Sequence, residues 1–149
     1  MKKAVIFCML LILASATACF HKKDSKIQSI TYDEFFKKIW DAEKHPDSFV
    51  FEGNTAVIVD FYANWCGPCQ KLFPILEKLA SEYEGELVVY KVNKELEENL
   101  ASAFKVQGLP ALLFIPKSGH PLRMYNGLPS EEELRTIIEE QLLDKPKQQ

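Results

Sequence analysis

Apolar positions along the chain fall into two rhythms, and their alternation outlines a domain. Residues Ala56 to Tyr62 form a nearly continuous β-branched and aromatic run, interrupted by Asp60 and bounded by turn residues, which is the pattern of a central strand buried on both faces. Leu87 to Val92 and Ala111 to Ile115 repeat it. Pro116-Lys117-Ser118-Gly119 then predicts a turn, and Leu122 to Tyr125 an antiparallel return. Between the strands the spacing becomes helical. From Gly67 to about Tyr83, Leu72, Ile75, Leu76, Leu79 and Ala80 share one face, and Pro74 predicts a kink. Glu95 to Phe104 predicts a helix with Leu96, Leu100 and Ala103 inward. Thr31 can cap a helix carrying Phe35, Phe36, Ile39 and Trp40, with Glu34 completing a capping box and His45-Pro46-Asp47 ending it before a loop to Gly53-Asn54. Ser130 caps a closing helix with Glu131, Glu132 and Glu133 in its first turn and Leu134, Ile137, Ile138 and Leu142 on its apolar face. If Lys26 to Ile30 adds a short edge strand, the order is β-α-β-α-β-α-β-β-α. That order predicts an α/β fold with a central mixed sheet of four to five strands and helices on both faces.

The amino-terminal end has a different character. Met1-Lys2-Lys3, the apolar run Ala4 to Leu13 and the small residues Ala14 to Ala18 have the three parts of a secretory signal peptide, too short for a comfortable membrane span. Cys19 follows Ala16-Thr17-Ala18, which resembles the lipobox of bacterial lipoproteins and equally suits ordinary signal peptidase. Cys19 is therefore either a lipidation site or a residue near the new terminus. Under the first reading, Phe20 rather than aspartate at the next position implies sorting to the outer membrane. The expected organisation is a signal peptide over 1–18, a lysine-rich tether over 19–30, one domain over 31–143 and a tail over 144–149. The expected location is the periplasm.

Composition adds exclusions more than assignments. Hydrophobic residues make up 47% of the chain and charged residues 26%, as in soluble globular proteins. The formal charge of −3 is spread without a basic stripe, so nothing points to nucleic acid. A monomer is expected.

Four cysteines sort themselves by place. Cys8 belongs to the signal segment, Cys19 to the tether, and Cys66 and Cys69 alone lie within the domain. So short a loop constrains an unfolded chain little, so the pair suits chemistry better than stapling. Zinc would need a second pair of ligands, and His45 and His120 are isolated. Trp65-Cys66-Gly67-Pro68-Cys69 follows the carboxyl end of the strand ending near Tyr62 and opens a helix, where α/β sheets place reactive groups. At the helix amino end, unpaired N–H groups favour an anion and should hold the Cys66 thiol below its ordinary pKa. Cys69, three residues on, lies on the same side and can attack a disulfide formed at Cys66. Cys66 is then the nucleophile and Cys69 the resolving thiol. Asp60 stands six residues before Cys66 in an otherwise apolar strand, where a solvent-facing carboxylate fits poorly.

The segment Val59-Asp60-Phe61-Tyr62-Ala63-Asn64-Trp65-Cys66-Gly67-Pro68-Cys69 resembles the active-site segment of the thioredoxin family. The similarity continues through Pro74, Lys91, Asn93, Gly108-Leu109-Pro110 and Gly127, and covers about Thr31 to Leu143. It implies the thioredoxin fold, a redox disulfide between Cys66 and Cys69, and a buried Asp60 that moves the proton of the resolving cysteine. It also implies that Lys91 neighbours that carboxylate, though a strand-end lysine is often simply solvated. Leu109-Pro110 matches the family's cis-proline loop, which with Trp65, Gly67 and Pro68 would receive an extended substrate segment; a strand-initial trans proline is the plainer alternative. Gly67-Pro68 resembles the reducing members of the family. Two sulfurs need no cofactor. The implied function is reduction of disulfides in exported proteins, with electrons resupplied by a membrane donor because soluble reductants are not assured outside the cytoplasm. A reductant dedicated to cytochrome c maturation, or a non-catalytic binding module or holdase, are the other readings. The loop His45 to Asn54 is longer than in minimal relatives and Asn64 replaces a position often acidic or small, which bears on partner choice.

Overall fold

The computed structural model describes residues 25–146 apart from 42, 46, 47, 52 and 121. The expectations for the signal segment and Cys19 lie outside these residues, as do Pro46 and Asp47 of the predicted helix stop. Five strands form one sheet in the order β1-β3-β2-β4-β5: β1 is Ile27–Ser29, β2 Ala56–Tyr62, β3 Leu87–Asn93, β4 Ala111–Ile115 and β5 Arg123–Asn126. β1 and β2 each pair parallel with β3, while β4 runs antiparallel to both β2 and β5. The sheet is mixed, with β2 at its centre. Edge strand β1 lies inside the stretch read as a tether, which therefore contributes to the sheet.

Strand alternation divides the core between two faces. On one, Ile58, Val89, Leu112 and Phe114 meet Leu72, Leu76 and Leu79 of helix α2 (Gly67–Glu82) and Leu134 of helix α4 (Glu131–Ile137). On the other, Val57, Val59, Phe61 and Leu113 meet Phe35 of helix α1 (Tyr32–Lys38) and Leu100 of helix α3 (Glu98–Ala103). Each of these side chains is essentially fully buried, and burial of one such group stabilises the fold by about 1.5–3 kcal/mol. Asp60, the buried charged side chain among the described residues, shares the α2 face with Ile58 and points beneath that helix.

Three local expectations are corrected. Helix α1 stops at Lys38 and does not run to His45. Trp40 leaves it to form an isolated bridge with Phe51, and its indole N–H donates to the carbonyls of His45 at 3.2 Å and Ser48 at 3.1 Å. These bonds tie the loop to the indole, and the loop folds back over the β4–β5 turn. There Gly119 has φ of +81°, and a Cβ on it would lie 2.7 Å from the Phe51 Cβ. Helix α3 begins at Glu98, later than expected, because the Asn93 side chain accepts from the Glu95 N–H at 3.0 Å and the Asn93 carbonyl from Leu96 and Glu97. That turn carries Leu96 outward, 79% exposed, and the inward residues are Leu100 and Ala101 with Ala103 exposed. Helix α4 gives way at Ile138 to a π turn through Leu142, in which the Leu143 N–H donates to the Ile138 carbonyl at 2.9 Å. Leu134, Ile138 and Leu142 stay buried through the change.

Candidate active site

Where β2 ends, Ala63 to Trp65 turn the chain into α2. The Cys66 N–H donates to the Ala63 carbonyl at 3.1 Å, and Cys66 takes the N-cap position with its Sγ accepting from the Cys69 N–H at 3.2 Å. Gly67 and Pro68 fill the first two helical positions, where a missing proline N–H leaves no helical bond unmade. The three-residue spacing stacks the two cysteines on one side of the first turn. Their sulfurs are bonded to each other at 2.01 Å, with Cα atoms 5.3 Å apart. Both are nearly covered, Cys66 at 3% and Cys69 at 4% exposure. Leu109 packs against them with Ala63 and Tyr62, and the Leu109–Pro110 peptide is cis. The Pro110 carbonyl accepts from the Gly127 N–H at 2.9 Å, which ties the loop before β4 to the end of β5. Trp65 stands out beside the disulfide at 70% exposure, its indole N–H donating to the Glu95 carboxylate at 2.8 Å.

Beneath the pair lies a pocket of about 280 Å³ whose walls include Asp60, Tyr62, Cys69, Gln70, Phe73 and Lys91. Asp60 is 2% exposed and its Oδ1 has no hydrogen-bond partner among the described residues. An unpaired buried polar atom of this kind costs about 1–3 kcal/mol, and such costs concentrate at sites with a chemical task. Burial pushes the Asp60 carboxyl up to about 7, against the opposing pull of the Lys91 ammonium. Lys91 faces Asp60 across the β2–β3 register, and its Nζ lies 5.2 Å from the centre of the Phe73 ring. A reducible sulfur pair thus sits above a carboxyl that changes charge near neutrality. Opening the disulfide with two electrons would leave two thiols, one of them next to a base able to hold its proton.

Every described residue singled out from the sequence lies at this pole. Cys66, Cys69, Trp65, Gly67, Pro68, Leu109 and Pro110 surround the disulfide, and Asp60 and Lys91 lie below it. Three neighbours were not anticipated. Glu95 holds Trp65 from thirty residues away. Gln70 donates through Nε2 to the Asn64 carbonyl at 3.2 Å, and Phe73 walls the pocket. Only Phe73 left a usable signal: four residues after Cys69, it falls on the same helix face.

The family model Thioredoxin matches residues 35–140. The chain is 42% identical over 112 residues to a thioredoxin of Borreliella burgdorferi, spanning 75% of this chain and 94% of that protein. It is 36% identical over 94 residues to the chloroplastic M-type thioredoxin of Spinacia oleracea, spanning 63% and 51% of the two. Among solved structures, chloroplastic thioredoxin z aligns with a TM-score of 0.61 at 28% identity, over 75% of this chain and 90% of that one. A thioredoxin from Halobacterium salinarum aligns with the same score and identity over 80% and 94%. With five strands in this order, helices on both faces and a disulfide across the first turn of α2, the chain belongs to the thioredoxin family and is a disulfide oxidoreductase.

Proposed function

We propose that the protein reduces disulfide bonds of exported proteins in the periplasm, with Cys66 attacking and Cys69 resolving. The observation that carries this reading is the placement of Cys66 at the N-cap of α2 with Cys69 one turn deeper, above the buried Asp60. At that terminus the helix dipole and free N–H groups favour a sulfur anion at Cys66 over one at Cys69. In the reduced protein the Cys66 thiolate attacks one sulfur of the substrate disulfide. A Cys66-substrate disulfide forms and the other substrate sulfur leaves as a thiolate that takes up a proton. The Cys69 thiol then gives its proton to the Asp60 carboxylate and attacks the Cys66 Sγ. The intramolecular disulfide closes and the second substrate sulfur is released, protonated in turn. Two electrons and two protons pass from the dithiol to the substrate.

Trp65, Gly67, Pro68, Leu109 and Pro110 form the rim on which a substrate segment would lie, and no cofactor takes part. The reducing direction is supported by Gly67-Pro68 between the cysteines. The leader-like residues 1–18 support export, Cys19 supports a lipid anchor in the outer membrane, and a membrane donor of electrons follows from that location. The domain acts as a monomer in this reading.

The test is a Cys69→Ser variant, which should accumulate covalent mixed disulfides with its substrates; trapping that instead required Cys69 as the attacking thiol would reverse the order proposed. The purified domain should equilibrate with glutathione at a potential near the value typical of thioredoxins, about −270 mV, and one near about −120 mV would make it an oxidant. Incorporation of labelled palmitate that disappears in Cys19→Ala would establish the anchor.

A further inference from the structure

The pocket beneath the disulfide has an aromatic wall on one side. Phe73 is one helical turn past Cys69 on α2 and is half-buried, packed against the core. Its ring faces the Lys91 ammonium at 5.2 Å, within the range in which a cation is attracted to an aromatic face. Lys91 in turn lies opposite Asp60 in the sheet and favours its charged form, without bonding to Oδ1. The groups facing Asp60 are few: Lys91 from β3, Cys69 from α2 and Tyr62 further along its own strand, while β4 presents the apolar Leu112. Among the described residues Lys91 is the cation beside this carboxyl, and a four-carbon stem leaves its position soft unless something holds the far end. Water competes for that ammonium, and an ammonium drawn away from the pocket would no longer favour the carboxylate.

We propose that Phe73 is a positioning residue for the proton-transfer step: its ring holds the Lys91 ammonium in the pocket beside Asp60 and so sets the pH at which Asp60 can take the proton of Cys69. This rests on the reading of Asp60 as the proton acceptor during closure of the disulfide. The chain of effect runs from ring to ammonium to carboxylate to thiol, and Phe73 itself touches no reacting atom. Removing the ring while keeping an apolar side chain of similar bulk leaves the carboxyl as dry as before but frees the ammonium. Asp60 should then hold its proton to higher pH, and closure should require more alkaline solution.

The test follows Asp60 through its titration by carbon NMR of the carboxyl in the oxidised protein, and through the pH profile of closure in a single-turnover reaction with insulin. Phe73→Leu should raise both midpoints by about half a pH unit, the size expected from losing a cation-ring contact. Phe73→Tyr, which keeps an aromatic face, should restore them. In a Lys91→Met background, Phe73→Leu should shift neither. A midpoint unchanged or lowered in Phe73→Leu, or an equal shift with and without Lys91, overturns the proposal. Asp60→Asn separates the two claims. If closure keeps its pH dependence without this carboxyl, the proton-acceptor reading and the kinetic half of the proposal both fall, while the titrations still judge whether Phe73 acts on Asp60 through Lys91.

Discussion

Helices α1 and α4 begin in one way and α2 in another. Thr31 and Ser130 each accept from the N–H three residues on, and Glu34 and Glu133 reach back to the cap residue's own N–H, so both termini are closed by reciprocal oxygen bonds. Acidic side chains in both first turns complement the dipole. The α2 terminus has a sulfur at the cap, glycine and proline behind it, and no acidic residue in its first turn. Sulfur is a weak acceptor, so the field at this terminus is left unneutralised in front of Cys66. Two termini are finished for stability and the third is kept available for an anion, and beneath the third lies the buried carboxyl atom without a partner.

The contrast can be broken in order of effect. The largest change is expected from Cys66→Ser, which should abolish disulfide reductase activity in an insulin turbidity assay. Its unfolding free energy should stay within about 1 kcal/mol of the reduced wild type, because serine is a good N-cap. Residual turnover would mean that another sulfur attacks.

Next comes Asp60→Asn. The unfolded carboxyl titrates near 3.8 and the native one at about 7, so the native protein binds this proton more tightly. The resulting stabilisation is complete below the unfolded value and is lost as the pH rises through about 7; the separation corresponds to about 4 kcal/mol. In urea unfolding, Asp60→Asn should therefore gain on the wild type by up to that amount between pH 4 and pH 8. A difference that stays constant across that range would show that Asp60 is not held protonated by burial.

Ser130→Ala should cost about 1 kcal/mol of stability in the same assay and leave turnover untouched, since it opens a terminus that has only a structural task. The smallest effect belongs to Glu95→Ala. Freeing the Trp65 indole should raise KM about threefold, as loss of one exposed hydrogen bond does, with kcat preserved. A fall in kcat instead would place Trp65 in the chemistry and not only on the rim.

Legibility in the sequence followed the range of the interactions. The strands from Ala56, Leu87 and Ala111 and the body of α2 are marked by local runs and spacing, and the structure puts them where those runs lie. The redox pair was legible for the same reason, since strand end, cysteine and helix start are contiguous. Trp40 leaves the helix although Phe35, Phe36, Ile39 and Trp40 continue a helical period, because its indole is satisfied by carbonyls five and eight residues later. Leu96 turns outward against its apolar spacing because a bond from the Glu95 N–H to the Asn93 side chain delays the helix. The π turn after Ile137 keeps an i+4 spacing of buried residues that an ordinary helix would also show. Glu95 and the pairing of Lys91 with Phe73 join separate elements, and no local pattern records such distances.

The direction of β1 carries a consequence for handling the molecule. It runs parallel to β3, so the chain enters the sheet at the end remote from the sulfurs; there Ser25 and Lys26 bond to Glu77, eleven residues and about 16 Å along α2 from Cys66. A bead or fusion partner joined directly at Ser25 would grip the enzyme by its heel. An immobilised preparation made through that end should keep its working face turned to the solution.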